Sequence, residues 1–586
     1  MRLRLSILAL GFVAAAYACA GIQIDSPDRE TEMHASLRAV VTGQPPAYVK
    51  HDPEGTRLWK QTRTFYEARE FSAAWLEKAK PRPQLAALTR ALQDADREGL
   101  DPQLYNVTML EERRAEASKG FLTSKGFDPT EAGTLDVWLT FLYMKYASDL
   151  ADGLSDLARA DPTWKIKPEG FDARAHLETA LLENRIEESI EELKPQSAEY
   201  DRLRTALADH RRQLAAGGWP KVPAMRLEPG VKSPHVPVLA RRLAASGDYT
   251  GRIPTGQTAE YSADLEEAVK AFQLRHGLAD DGIVGPEAVA AMNVPIGRRI
   301  DQIALNMERW RWLPRDLGER YILVNIPEMR LDVYEGSDVP LSMRVVVGKA
   351  DTQTPIFNDE MSYLVFSPYW NVPPGIAQDE TLPAVLSDPD FLARNDMEVV
   401  DTAGNVIDAE SVDLSNPDDY RFRQRPGRTN SLGLVKFMFP NQFNVYLHDT
   451  PADSLFARAT RSFSHGCVRL EDPVALAQYV LRDQREWDGD RIRAAMHAGE
   501  ERTVKLKAAL PVYLGYWTAR VRPDDSVQFR KDVYGIDARQ AGRLAHRLER
   551  LRRTGVAAAS ATAAPADDAA TAGSRPNENA KKERPR

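Results

Sequence analysis

The spacing of apolar residues changes once along this chain, from helical to strand-like, near residue 320. Before that point apolar side chains recur at intervals of three and four residues. After it they form short runs such as Tyr321-Ile322-Leu323-Val324-Asn325-Ile326 and Ser342-Met343-Arg344-Val345-Val346-Val347. The first spacing is typical of helices and the second of strands. The sequence therefore predicts a multidomain α+β protein, with helices first and a β-rich domain after them.

The helical part is predicted to contain a scaffold domain at residues 27–223. Its clearest helix begins near Thr134 and ends at Gly153, with one broad apolar face made by Leu135, Trp138, Leu139, Leu142, Tyr143 and Tyr146. A face of this width normally packs on neighbouring helices. The aromatic residues would also suit a groove, but core packing is the prediction, because no residue here carries chemistry.

Both ends of the chain have a distinct composition. Arg2 and Arg4 precede an apolar stretch, and Ala18-Cys19-Ala20 has the small residues of a cleavage site, so we predict a signal peptide at residues 1–20 and a location outside the cytoplasm. Lipidation of Cys19 and an uncleaved anchor are the alternatives. Residues 556–586 are rich in Ala, Thr and Ser and then charged, which predicts a disordered tail. The net charge of −8, without a concentrated basic face, argues against a nucleic-acid partner.

A small three-helix unit is predicted at residues 234–295. Its second helix carries Leu265, Ala268, Val269 and Phe272, and a turn at Asp281-Gly282-Ile283-Val284-Gly285-Pro286 leads into the third. This run resembles the peptidoglycan-binding domain of the PG_binding_1 type, which implies affinity for cell-wall glycopeptide. A helical spacer that binds nothing is the alternative, and His276 is predicted to be structural.

The chain has two cysteines, and removal of the leader would leave Cys467 as the one thiol. It lies in Phe463-Ser464-His465-Gly466-Cys467-Val468-Arg469-Leu470, on a glycine turn with imidazoles nearby. The thiolate is the nucleophilic form, and a neighbouring histidine that accepts the proton lowers the pKa of the thiol. A lone thiol in this setting predicts a nucleophile.

Three histidines of the β-rich part could serve as its base: His448, His465 and His497. Alternation along a predicted strand places Asn444, Tyr446 and His448 on the face away from the core. His465 is two residues from the thiol on the same turn, where a good hydrogen bond is awkward, so His448 is the predicted base. The amides of Gly466 and Cys467 are candidates to face a developing oxyanion. We also expect the loop before the next helix to leave the sulfur exposed.

A long segment before this site, from Trp370 to about Lys436, is rich in Pro, Asp, Asn and Gly. A loop of this length within a compact domain is usually functional. We therefore predict a lid at about residues 371–436, inserted in a catalytic domain at residues 319–540.

The pattern of His448, 15 intervening residues and Ser464-His465-Gly466-Cys467-Val468-Arg469 closely resembles the signature of L,D-transpeptidases with a YkuD-type catalytic domain. Flanking runs strengthen the resemblance: Tyr369-Trp370-Asn371-Val372-Pro373-Pro374, Asn430-Ser431-Leu432-Gly433-Leu434-Val435-Lys436-Phe437 and Pro511-Val512-Tyr513-Leu514. With the scaffold and the peptidoglycan-binding unit, residues 60 to 540 resemble the large YcbB-type periplasmic enzymes.

This resemblance implies the roles of the residues in the site. Cys467 is the nucleophile and His448 the base and later the acid, with Gly466 completing the catalytic turn. Supporting roles fall to His465, Asp449 and Ser464, and substrate contacts to Arg469, Tyr446, Trp370 and Asn430. Arg423, Arg425 and Arg428 would also suit the carboxylates of a stem peptide, with solvated surface charge as the alternative. No metal and no cofactor are implied.

The resemblance also implies the reaction. Cys467 attacks the carbonyl of diaminopimelate at position three of a tetrapeptide stem, releases D-alanine, and transfers the acyl group to the side-chain amine of a second stem, giving a 3→3 cross-link. The partners implied are the donor and acceptor stems and other proteins of cell-wall synthesis, the location is the periplasm, and carbapenems are expected to trap the thiol.

Other interpretations of the site are open. Water as acceptor would give an L,D-carboxypeptidase, and an idle thiol would leave a wall-binding scaffold. A zinc site of His448, His465 and Cys467 lacks a fourth ligand. A cysteine peptidase of the NlpC/P60 type has its cysteine before its histidines, the reverse of the order here.

Overall fold

The computed structural model describes residues 28–112, 127–154, 162–168, 170–409, 416 and 419–545. The predicted signal peptide with Cys19 and the predicted disordered tail at 556–586 lie outside the described residues. Within them, no helix is long and apolar enough to cross a membrane.

The scaffold consists mainly of helices, numbered α1 to α7 in chain order. Their bounds are α1 Arg29–Thr42, α2 Pro53–Ala68, α3 Pro83–Gln93, α4 Pro129–Asp152, α5 Ala173–Leu182, α6 Ile186–Glu191 and α7 Ala198–Ala215, with 3₁₀ turns at Asp94–Glu98 and Pro102–Tyr105 and a two-stranded ribbon of β1 Leu76–Glu77 and β2 Lys80–Pro81. Asp128 caps α4 by accepting the amides of Thr130 and Glu131, and Gly153 ends it as predicted. The helix is buried on nearly all sides, because the other helices surround it.

One buried carboxylate ties the ribbon to this central helix. Asp136 on α4 accepts the backbone amides of Ala74, Trp75 and Leu76, at 2.8 to 2.9 Å, and the hydroxyl of Tyr66 at 2.6 Å. Burial raises the pKa of Asp136, while the amides and the hydroxyl act in the opposite direction. The carboxylate thus satisfies three buried donors that no helix or strand would otherwise pair.

The small helical unit has a separate hydrophobic core. It comprises α8 Val236–Ala245, α9 Ala263–Arg275 and α10 Pro286–Met292, with β3 Lys232–Ser233 and β4 Ala259–Glu260 pairing beside them. The His276 ring stacks on Phe272, with centroids 3.8 Å apart, and its Nδ1 lies 2.8 Å from the Phe272 carbonyl. The next helix, α11 Ile296–Arg311, leads into the β-rich domain and packs on α7.

The β-rich domain is built on one sheet that closes on itself. The strands are β5 Arg320–Asn325, β6 Arg330–Glu335, β7 Asp338–Gly348, β8 Phe357–Phe366, β13 Val435–Met438, β14 Leu447–His448, β15 Ser462–Ser464, β16 Val468–Leu470 and β17 Arg502–Gly515. Their order among the described residues is β15-β7-β16-β14-β13-β8-β17-β5-β6, and the long β7 also pairs with β6. Closure removes open sheet edges and encloses the core. Helices α15 Pro473–Leu481 and α16 Gly489–Met496 and the ribbon of β18 Ala519–Val521 and β19 Val527–Phe529 complete the domain; the mixed α+β class is confirmed.

The predicted lid is a folded unit rather than an irregular loop. It contains the sheet β11-β10-β12-β9, from β9 Trp370–Asn371, β10 Met397–Val400, β11 Val406–Ile407 and β12 Arg421–Gln424, and three short helices, α12 Pro374–Ile376, α13 Leu382–Ser387 and α14 Phe391–Arg394. Val372, Val399, Tyr420 and Phe422 form its own core. We call residues 370–424 the cap. Val435 and Lys436, which fell inside the predicted lid, belong to β13 of the main sheet.

The scaffold and the closed sheet share one continuous hydrophobic core. Between them, the guanidinium of Arg520 on β18 binds Glu199 on α7 and also contacts Glu328 and Asp332. Trp164, from the scaffold side, packs edge-on against Trp312 and Trp517. The closed sheet is therefore held against the scaffold by both apolar packing and buried ion pairs.

Candidate active site

Cys467 lies in the tight turn between β15 and β16. Ser464 closes this turn, because its hydroxyl donates to the Cys467 carbonyl at 2.5 Å and accepts the Gly466 amide at 3.1 Å. Gly466 has φ +122°, which a residue with a side chain rarely adopts. The sequence predicts that the loop carrying the thiol leads directly into a helix, whereas in the structure β16 intervenes before α15.

Two residues that sequence reasoning missed hold the turn from outside. The hydroxyl of Thr354 donates to the Gly466 carbonyl at 2.8 Å and accepts the Gly348 amide. The hydroxyl of Tyr534 in turn accepts the Thr354 amide and donates to the Gly348 carbonyl. They come from distant parts of the chain, so no local motif signals them.

His448 occupies the end of the short strand β14 and is 4% exposed. Its Nδ1 lies 2.5 Å from the Asp449 carbonyl, so Nδ1–H donates to that oxygen and Nε2 is the nitrogen left to accept a proton. The Asp449 carboxylate accepts the amides of Leu434 and Thr450, both at 2.7 Å, and lies against Gly433. Asp449 therefore fixes both the ring and the loop beside it.

The strand before His448 is shorter than predicted. Regular pairing covers only Leu447 and His448, and Asn444 has φ +54°. The amide of Asn441 bonds the carbonyls of Phe439 and Val445 and turns the chain there. Asn441 competes locally with the strand, as asparagine side chains often do. Val445 and Leu447 are nevertheless buried in the core and Tyr446 is half-buried, as the alternation predicted.

Thiol and imidazole share one face of the sheet. Strands β14 and β16 are parallel, with Leu447 opposite Val468 and His448 opposite Arg469. Cys467 therefore lies beside Tyr446 and diagonal to His448. The Tyr446 ring meets the His448 ring edge-on, with centroids 5.7 Å apart. The sulfur donates towards the Asn444 carbonyl at 3.8 Å and is also hydrogen-bonded by Tyr446, while no described hydrogen bond joins it to the imidazole.

Burial keeps both reacting groups uncharged. It raises the pKa of Cys467 to about 11, although the Tyr446 backbone and hydroxyl and the charge of Arg469 favour the thiolate. Burial and the Arg469 charge lower the pKa of His448 to about 3. Cys467 is half-buried, and the lowered thiol pKa expected from the sequence is not what the structure shows. Instead, the resting pair is a neutral thiol and a neutral imidazole, because both charges would be desolvated.

The donors that face the sulfur differ from those expected. The Gly466 amide is used by Ser464. The Tyr446 backbone N–H bonds the sulfur in its thiolate form, and the Cys467 amide has no hydrogen-bond partner among the described residues. The N–H groups near the reacting atom are thus those of Tyr446 and Cys467.

The cap reaches the catalytic turn through one polar contact. His465 Nε2 lies 2.7 Å from the carboxylate of Glu380, which belongs to a short π-helix of the cap at Ala377–Thr381. His465 therefore faces the cap rather than the thiol, and His497 ends α16.

The proposed substrate contacts fall into two groups. Arg469 and Tyr446 lie beside the thiol and the imidazole, whereas Trp370 forms β9 of the cap. Asn430 is fully buried, and its amide bonds the carbonyls of Pro368 and Arg425 and the Leu432 amide, so it shapes a loop. Arg423 and Arg425, expected to attract carboxylates, both bind Glu398 within the cap.

In the described part of the chain, no group of three histidine, cysteine, aspartate or glutamate side chains could hold a metal ion. The fold and site together define a closed β-sheet domain in which a cysteine and a histidine lie on the same face of neighbouring parallel strands, with the cap contacting the turn that carries the cysteine.

Comparison with known proteins identifies this domain. Residues 319–500 match the family model of the L,D-transpeptidase catalytic domain of the YkuD type, residues 60–207 match a scaffold domain, and residues 232–292 match a model described as "Putative peptidoglycan binding domain". Residues 319–500 are therefore a YkuD-type L,D-transpeptidase catalytic domain, preceded in the chain by regions that match a scaffold domain and a putative peptidoglycan-binding domain.

Individual relatives agree over part of their length. A protein of Haemophilus influenzae named "Putative L,D-transpeptidase" is 34% identical over 239 residues, which are 40% of this chain and 48% of that protein. The chain thus spans about half the length of this curated relative. Among solved structures, an L,D-transpeptidase from Mycobacterium smegmatis is 15% identical over 33% of this chain and 58% of its own, with a TM-score of 0.16. An L,D-transpeptidase from Xylanimonas cellulosilytica is 15% identical over 50% of this chain and 98% of its own, with a TM-score of 0.17.

Proposed function

We propose that this protein is a cysteine-dependent L,D-transpeptidase that forms 3→3 cross-links between diaminopimelate residues of peptidoglycan. The observation that carries this proposal is the pairing of β14 with β16, which puts Cys467 beside the Tyr446–His448 segment under the cap. The match of residues 319–500 to the L,D-transpeptidase catalytic domain supports it. The donor is a tetrapeptide stem and the acceptor a second stem.

In the first half of the reaction, Cys467 Sγ attacks the carbonyl carbon of diaminopimelate at position three. Its proton passes to His448 Nε2 during the attack, because a preformed ion pair is disfavoured at this buried site. The Tyr446 and Cys467 amides stabilise the oxyanion. His448 then protonates the leaving amine, D-alanine departs, and a thioester remains on Cys467.

In the second half, the side-chain amine of an acceptor stem attacks the thioester. His448 takes a proton from that amine and returns it to the sulfur as the C–S bond breaks. One peptide bond is broken and one is formed, so no external energy source is needed. Water in place of the amine would hydrolyse the thioester and give an L,D-carboxypeptidase.

The test is incubation of the protein with purified tetrapeptide-bearing muropeptides and analysis of the products by mass spectrometry. Dimers cross-linked between two diaminopimelate residues, with loss of D-alanine, are the expected products. Cys467→Ala should abolish these dimers. His448→Ala should leave a small fraction of the wild-type amount, while His497→Ala should retain most of the activity. Tripeptide products alone would establish the carboxypeptidase instead. If folded protein gives no product, the remaining interpretation is a non-catalytic scaffold that binds the cell wall.

Further proposals concern inhibition and location. A carbapenem contains a strained carbonyl that an activated thiol opens, so one drug mass should add to the wild type and none to Cys467→Ser. The leader at residues 1–20 motivates a periplasmic location, which cell fractionation tests. We expect the unit at residues 232–292 to hold the enzyme on the wall.

A further inference from the structure

Three basic side chains stand in a row across adjacent strands of the catalytic sheet. On the antiparallel pair β13–β14, Lys436 lies directly opposite His448, and on the parallel pair β14–β16, His448 lies opposite Arg469. Residues that are register partners project from the same face of a sheet, with Cβ atoms about 5 Å apart. The imidazole is therefore flanked by an ammonium group and a guanidinium group.

Neither flanking cation forms an ion pair with a carboxylate among the residues that the structure describes. Among the described residues, no carboxylate lies within 4.0 Å of Lys436 or Arg469, and the buried Nε of Arg469 has no hydrogen-bond partner. Glu501, the acid that acts electrostatically on Lys436, is exposed and accepts the Tyr369 amide at 2.9 Å. Burial lowers the pKa of both Lys436 and Arg469.

Other cations of this domain, in contrast, form ion pairs with carboxylates. Arg423 in the cap and Arg425 just after it share the carboxylate of Glu398, and Arg344 on β7 is paired with Glu471. Two half-buried charges without partners cost free energy, and an anion that binds between them would remove this cost. The missing anion is thus expected in the ligand.

The chemistry of the donor stem indicates which of its carboxylates binds between Lys436 and Arg469. His448 must deliver a proton to the leaving nitrogen from about 3 Å. The terminal carboxylate of D-alanine is separated from that nitrogen by a single carbon, so it lies beside His448 when the nitrogen does. The attacking amine of an acceptor diaminopimelate also stands on a carbon that bears a carboxylate, so it presents the same group to the same place.

We propose that Lys436 and Arg469 together bind the terminal carboxylate of the donor stem and thereby select stems that end in a free carboxylate, an inference that rests on the proposed function. Lys436 is a specificity-determining residue that the sequence signature did not single out. The bound anion also offsets the positive charge beside His448, which favours transfer of the thiol proton to the ring at the moment of attack. Stems that end in a carboxamide lack this charge and react slowly.

The test compares two synthetic stem tetrapeptides, one ending in D-alanine and one in D-alanine amide, with the full chain. Release of the terminal residue gives kcat/KM for each peptide in the wild type, Lys436→Met, Lys436→Arg and the control Lys60→Met. Lys60 is an exposed lysine on α2 of the scaffold. Its removal changes the net charge by the same amount as Lys436→Met, but at a position outside the site. The wild type and Lys60→Met are expected to favour the carboxylate at least about tenfold, as charge-assisted hydrogen bonds do.

In Lys436→Met this preference should fall close to one, because the carboxylate peptide loses its rate advantage over the amide, and Lys436→Arg should restore most of it. Equal losses on both peptides in Lys436→Met would overturn the proposal, since they would indicate a merely structural lysine. Binding of the two peptides to Cys467→Ala, measured by calorimetry, repeats the comparison without turnover. If the wild type releases nothing, the proposed function fails, while the binding preference and its loss in Cys467→Ala/Lys436→Met still decide the carboxylate site.

Discussion

The neutral resting state of the thiol and imidazole can be tested by titrating Cys467. If the pKa of the thiol is about 11, the thiolate fraction keeps rising tenfold for each pH step from 8 to 10. A cysteine in an ion pair with histidine would already be saturated near neutral pH. The reaction rate with a disulfide reagent follows the thiolate fraction, so the pH profile separates the two states.

The magnitude follows from the two pKa values. At pH 8, a thiol of pKa about 11 is ionised to roughly 1 part in 1,000, against about 1 in 4 for an unfolded thiol near 8.5. The folded protein therefore has about 240-fold less thiolate. A thiolate of higher pKa is intrinsically more nucleophilic, by about 13-fold over this interval. We expect the folded protein to react about 20-fold more slowly than the unfolded one, before any steric effect.

The assay uses protein that begins after residue 20, so that Cys467 is the one thiol, and an aromatic disulfide whose thiol product absorbs light. Rates are recorded from pH 6 to 10, with protein unfolded in urea as the reference. A folded-state rate that levels off below pH 8.5 would refute the reasoning, because it would show that a neighbouring charge outweighs burial. Steric hindrance scales all rates and does not alter the slope.

Four further predictions concern the site, the scaffold and the wall-binding unit. Gly466→Ala should cut cross-linking more than tenfold, since φ +122° strains alanine by about 1–3 kcal/mol, whereas Gly542→Ala, in open space, should not. Asp136→Asn should lower the free energy of unfolding in urea by about 3–5 kcal/mol, because an amide cannot accept all four bonds, and exposed Asp201→Asn should change it little. The pKa of His448 is lower folded, about 3, than unfolded, about 6.5, so the unfolded state gains the proton first on acidification. Lowering the pH from 6.5 to 5 should therefore reduce stability by about 1.6 kcal/mol through this ring, a loss absent from His448→Gln in melts at both pH values. Residues 230–297 alone should co-sediment with sacculi, and a folded but unbound fragment would favour a spacer.

The sequence alone predicts the order of the domains and proposes Cys467 as the nucleophile, because both inferences depend on local signals. Hydrophobic spacing separates helices from strands, and the run from Ser464 to Arg469 is a contiguous motif in which Gly466 must turn the chain. The end of the long scaffold helix at Gly153 was likewise readable, since a glycine stop acts within one turn.

Only the tertiary structure decided the electrostatic state of the site and the partners of its residues. The local motif around Cys467 suggests an activated thiolate beside His448. Burial by residues far away in the chain instead raises the pKa of Cys467 and lowers the pKa of His448. The same holds for Asn430, which the fold buries, and for Thr354 and Tyr534, which support the catalytic turn from distant segments. Strand register also lies beyond local pattern, and it is register that places Lys436 and Arg469 on either side of His448.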